Sequence, residues 1–117
     1  MSDVVPTEID LTRKRGDTYA DLFTLVDEDA AAVDITGRTY LLTVDPEPNP
    51  GDAVNNLFQL TGSIVSAPAG TVEFAPSAGQ SDQTPADYYY DIQQTDAGGK
   101  IRTIATGKYS ISQDITK

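Results

Sequence analysis

The sequence predicts an all-β protein built as a sandwich of two antiparallel sheets, and three observations predict it. Turn signals recur about every 8 to 12 residues, the rhythm of short strands joined by tight connections. The runs between them are rich in Val, Ile, Leu, Tyr and Phe, which suit a pleated, half-buried surface. No window of helical length carries an apolar period of about 3.6 residues. At 117 residues the chain has the length of one domain, enough to bury roughly two-thirds of the surface that it exposes when unfolded. The expected division is an extended arm over residues 1–7, carrying Pro6, and one sandwich over residues 8–117.

Ile9 and Leu11 alternate with Asp10 and Thr12, a short first strand that ends in Arg13-Lys14-Arg15, and Gly16-Asp17 turns the chain. Residues 18–26 are apolar on both faces near their end and read as a strand inside the sandwich. Asp27-Glu28-Asp29 opens a loop that Asp34-Ile35-Thr36-Gly37 closes, before a strand over 39–44 with Tyr40, Leu42 and Val44 on one face. Alternate prolines at 46, 48 and 50 remove donors and force extended backbone, so this stretch is a stiff exposed loop. Strands follow over 57–65, with Gly62 marking a bulge or bend, and over 71–75, joined through Ala67-Pro68-Ala69-Gly70. Residues 76–87 form a loop with at most one helical turn around 77–81. Tyr88, Tyr90 and Ile92 then face the core while Tyr89, Asp91 and Gln93 face outward. Asp96-Ala97-Gly98-Gly99 makes a hairpin turn, and two closing strands, 100–105 and 108–115, are separated at Thr106-Gly107.

Composition removes several function classes. Formal net charge is -10, and between Gly16 and Gly99 Arg38 is the only basic residue against fourteen Asp and Glu. Such a surface repels phosphate, which argues against nucleic-acid and anionic-membrane partners. The absence of His and Cys removes the commonest general bases, activated nucleophiles and transition-metal ligands. No apolar run reaches the roughly 18 residues of a transmembrane helix, and Met1-Ser2-Asp3 lacks the basic and apolar regions of a signal peptide, so synthesis in a cytoplasm is expected.

Few residues invite chemistry. Asp27-Glu28-Asp29 with Asp34, or with Asp45 and Glu47, could offer oxygen ligands to calcium, but the spacing does not match a 12-residue calcium loop. Ordinary acidic loops are the better reading. Arg15-Gly16-Asp17 sits where a turn is needed, and the turn outweighs an adhesive tripeptide. Asp87 and Asp91, four apart on a strand, are separated by roughly 13 Å, beyond the reach of paired-carboxylate hydrolysis. No enzyme, cofactor, metal or small-molecule substrate is expected. Arg13, Lys14 and Arg15 could join Lys100, Arg102 and Lys108 in one positive patch if the two ends of the chain become neighbouring strands.

In order, the pieces are Ile9-Asp10-Leu11, Arg15-Gly16-Asp17-Thr18, Val33-Asp34-Ile35-Thr36-Gly37, Thr71-Val72-Glu73-Phe74, Asp87-Tyr88-Tyr89-Tyr90-Asp91-Ile92 and Gly107-Lys108-Tyr109-Ser110-Ile111. Together they resemble the immunoglobulin-like domain at the N-terminus of tailed-bacteriophage baseplate upper proteins, also found as small stand-alone virion proteins. Asp87 departs from the family's usual glycine, and no fibre or receptor-binding region is expected beyond Lys117. The resemblance implies an immunoglobulin-like β-sandwich that docks onto other virion proteins, in a homo-oligomer or symmetric assembly, as a tail, baseplate, fibre-adaptor or neck component. A head decoration protein and a host-surface or glycan adhesion module are the alternatives. Under the first reading the contact residues are Val4, Val5 and Pro6 in the arm, Arg13, Lys14 and Arg15 in the basic triplet, and Pro46, Pro48 and Pro50 in the stiff loop, because extended segments can add strands or wrap neighbours.

Overall fold

The computed structural model describes residues 4–47 and 56–113. Among them, strands β1 (Thr7–Glu8), β2 (Leu11–Lys14), β3 (Asp21–Thr24), β4 (Thr39–Asp45), β5 (Phe58–Thr61), β6 (Ser63–Ser66) and β7 (Thr71–Phe74) precede a single helical turn, α1 (Ala78–Ser81). Strands β8 (Ala86–Thr95) and β9 (Ile101–Ser112) complete the chain. The larger sheet runs β1-β9-β8-β4-β5 with β2 also on β9, and the smaller runs β3-β7-β6. This is an immunoglobulin-like β-sandwich: the first strands lie parallel to the last, and every other pairing is antiparallel.

The core follows from period-2 alternation. Tyr40, Leu42 and Val44 on β4, Tyr88, Tyr90 and Ile92 on β8, and Tyr109 and Ile111 on β9 face Phe23, Val72 and Phe74 of the smaller sheet. Tyr109 lies at its centre, edge-on to Phe58 at 5.8 Å and to Tyr90 at 6.2 Å, arrangements that contribute about 0.5–1.5 kcal/mol each beyond burial. A bulge between Ile92 and Gln93 in the β8–β9 ladder lets adjacent residues Ile104 and Ala105 both enter the core. Ser77 caps α1, accepting from the Gln80 N–H while the Gln80 side chain accepts from the Ser77 N–H.

Four boundaries differ from the sequence expectation, each for a steric or pairing reason. Of residues 18–26 only β3 is regular strand, and it lies at a sheet edge with Leu22 60% exposed, not inside the sandwich. The strand expected over 57–65 is two strands in different sheets, joined at Gly62, where an added Cβ would sit 2.8 Å from Val72 and 2.9 Å from Tyr40. No break occurs at Thr106-Gly107, and β9 runs straight through. Glycine is needed there because the carbonyl of Ile9 occupies the space that a Cβ would take. Finally, the arm is not free of the core from Val4 onward: Val4 is 2% exposed, its carbonyl accepts from Arg102 at 3.0 Å, and the Val5 N–H donates to Val26 at 3.0 Å.

Candidate docking surface

The basic triplet separates residue by residue. Arg13 shares its phase with Leu11, so the alternation that buries Leu11 turns Arg13 into the sandwich, where it is 3% exposed. Its Nε donates to the Tyr109 hydroxyl at 2.8 Å and its terminal nitrogens donate to the carbonyls of Asp17 and Tyr19 and to Asp21 at 2.8 Å. The guanidinium also sits 4.1 Å from the centre of the Tyr19 ring. Burial opposes its charge, but Asp21 and Tyr109 together hold its pKa above the ordinary value. Arg13 is therefore a clamp between β2 in one sheet and β3 in the other, which corrects its expected surface role. Arg15 pairs with Asp82 at 2.7 Å on the surface, and Lys14 is exposed.

One positive patch does not assemble. Parallel pairing sets Lys14 against Ser112 and Thr7 against Ala105, so Arg102 lies at the opposite end of β9, roughly 30 Å along the strand from Lys14 at about 3.3 Å per residue. Lys108 lies between them, its N–H bonded to the side chain of Asp10. The loop carboxylates act locally as turn acceptors: Asp27 caps Asp29 and Ala31, Asp34 caps Thr36, and Asp96 caps Gly98 and Lys100. Hydrogen bonds from Thr36 hold the exposed Asp34 carboxyl below its usual range. Among the described residues no group of three or more acidic side chains is placed to hold a metal ion. Pro46 is exposed beside Asp45, whereas Pro48 and Pro50 lie outside the described residues.

Two surfaces remain as places where another molecule could sit. The first is an apolar groove of about 440 Å³ between β1–β2 and β3, lined by Val5, Ile9, Leu11, Leu22 and Ile104. The Leu25 N–H donates to Gly70, and the antiparallel alternation that follows points the N–H and C=O of Leu22 and Thr24 away from β7, toward this groove. The second is an acidic groove of about 750 Å³ on the outer face of the larger sheet, around Tyr89 and Asp91. Burial pushes the Asp91 carboxyl above its ordinary pKa. The sequence placed Tyr89 and Asp91 outward, but the open edge of β3 was hidden because its residues are as apolar as those of a central strand.

No protein-family model matches the chain, and no curated protein matches it. Among solved structures, CopC from Methylosinus trichosporium OB3b is similar, with a TM-score of 0.47, 9% identity, 100% of this chain covered and 99% of that one. The internalin-like protein lmo2027 of Listeria monocytogenes is similar at a TM-score of 0.42 and 13% identity, with 95% of this chain and 28% of that one covered. Neither likeness carries a ligand, partner or activity over to this chain.

Proposed function

We propose that the chain is a non-enzymatic structural protein of a tailed-phage virion that docks by protein–protein contact, in the tail, baseplate, fibre base or neck. The observation that supports docking most directly is the open edge of β3: a short strand with backbone donors and acceptors turned outward, beside an apolar groove. Such an edge accepts an extended segment, whose backbone extends the sheet while its side chains enter the groove. The virion assignment rests on the ordered motifs of the sequence. Under this reading the contact role of the arm falls to Val5, which lines this groove, and to Pro6 next to it in the chain, while Val4 is buried in the core.

Gold-labelled antibody raised against the recombinant chain, applied to particles from the source culture, tests the assignment in the electron microscope. Label at the tail tip, fibre base or neck supports it. Label spread over the capsid makes the chain a decoration protein, and no label on any particle removes the virion role.

A further inference from the structure

The smaller sheet has a second edge. Its order, β3-β7-β6, leaves β6 without a further strand partner among the described residues, as it leaves β3 on the opposite side. Edge strands are commonly guarded by charged side chains or proline. Ser63-Ile64-Val65-Ser66 has neither, and Ile64 and Val65 are 39% and 57% exposed; its one guard is a bulge after Ile64. On a chain of net charge -10, no charged residue lies between Asp52 and Glu73. In the groove beside β3 the one charged side chain among the described residues is Asp21, held by Arg13 at 2.8 Å. Two acidic copies repel over most of their surfaces, but β6 of one can approach β3 of another without setting like charges together.

The register shows that the two edges match. The Leu25 N–H donates to Gly70, so by alternation Phe23 and Val72 point their backbone groups at each other, and Leu22 and Thr24 point theirs outward. Thr71 and Glu73 then turn toward β6, where Glu73 meets Ser63, and Ile64 turns its N–H and C=O away from β7. Strands β3 and β6 both run antiparallel to β7, so they are parallel to each other. In a parallel pair, a residue donates to the carbonyl before its opposite number and accepts from the N–H after it. Ile64 set opposite Phe23 of another copy therefore donates to the Leu22 carbonyl and accepts from the Thr24 N–H, the groups left open on β3. Its side chain, in phase with Val72 and Phe23, enters the apolar groove. We infer that β6 of one copy of this chain adds in parallel to β3 of a second copy, with Ile64 seated between β3 and β1–β2. The contact is heterologous: each copy keeps a free edge, so growth continues into a ring or a filament. The inference rests on the reading of the β3 edge as a docking surface and supplies its occupant.

The test is sedimentation of the full chain from about 5 to 500 μM, with thermal unfolding of every variant as the check on folding. The expected mass rises with concentration beyond that of a dimer. Leu22→Lys closes the β3 edge and Ile64→Lys closes the β6 edge, so each alone should weaken self-association about tenfold or more. Mixed in equal amounts they should form a dimer that grows no further, because the intact β6 of the first still fits the intact β3 of the second. Gln59→Lys, on the β5 edge of the larger sheet, adds the same charge elsewhere and should leave association unchanged. A chain that stays monomeric throughout the range would overturn the inference. So would assembly that stops at a dimer, a mixture of two folded variants that does not dimerise, or equal weakening by Gln59→Lys. Self-assembly as expected by a chain that labels no particle would remove the virion role and leave this inference standing. Labelled particles together with a monomeric chain would overturn this inference alone.

Discussion

At the residue scale the most informative side chain is Arg13, because it converts a surface charge of the sequence into the tie between two sheets. Replacing it by Ala leaves Asp21 and the Tyr109 hydroxyl without their donor and should cost about 3–5 kcal/mol, read as a lowered urea midpoint with an unchanged slope. A loss below about 1 kcal/mol would show that the clamp is dispensable. Tyr90 and Tyr109 make a second case, since burial pushes both hydroxyl pKa values above the ordinary tyrosine value, that of Tyr90 well above it. Unfolded tyrosines release their protons near pH ~10 while these two keep theirs, so the native state binds more protons there and stability falls as pH rises through that point. Thermal unfolding at pH 8 and pH 11 should show the loss, and Tyr90→Phe, which removes one of the two groups, should reduce the difference. A Tyr90→Phe chain with an undiminished alkaline loss would place the titration elsewhere.

At the element scale, strands reveal themselves in sequence through alternation, and their neighbours do not. Tyr40, Leu42 and Val44, the Tyr88–Tyr90 pair, the turn at Asp96 and the single helical turn after Ser77 were all legible, because each depends on local period or turn chemistry. Gly107 was misread as a break because the reason for it lies far away, in the carbonyl of Ile9 crossing above the strand. Gly107→Ala must move that carbonyl or the strand, and should cost about 2 kcal/mol or more. Urea unfolding of the variant checks this; a neutral result would mean that β1 and β2 shift freely over β9. Gly62 was seen as a bend, but no local signal says that a bend carries the chain from one sheet to the other. Likewise Arg13 was readable, since two residues after Leu11 falls on the inner face, yet charge type outweighed phase in the reading. The acidic groove was only half legible: outward positions on β8 follow from period, whereas the burial of Asp45, which lines it at 4% exposure, depends on tertiary placement.

At the scale of the whole molecule, the N-terminal segment belongs both to the body and to the surface. Deleting residues 1–7 removes Val4 from the core and half of β1 from the sheet, so the shortened chain should lose about 2 kcal/mol or more of stability. Its failure to assemble would then report on the fold as much as on docking. Leu22→Lys is the cleaner probe: at 60% exposure it should change stability by less than about 0.5 kcal/mol, while a charge placed on the β3 edge blocks strand addition. Assembly onto particles at full occupancy by this variant would rule the edge out as the contact. The parallel pairing of β1 and β2 with β9 also has a mechanical side. When tension is applied between the start of β1 and the end of β9, adjacent parallel strands are dragged past each other in shear. The hydrogen bonds between them lie across the pull and must rupture together, so the sandwich resists stretching along this axis far better than peeling from the β5 edge.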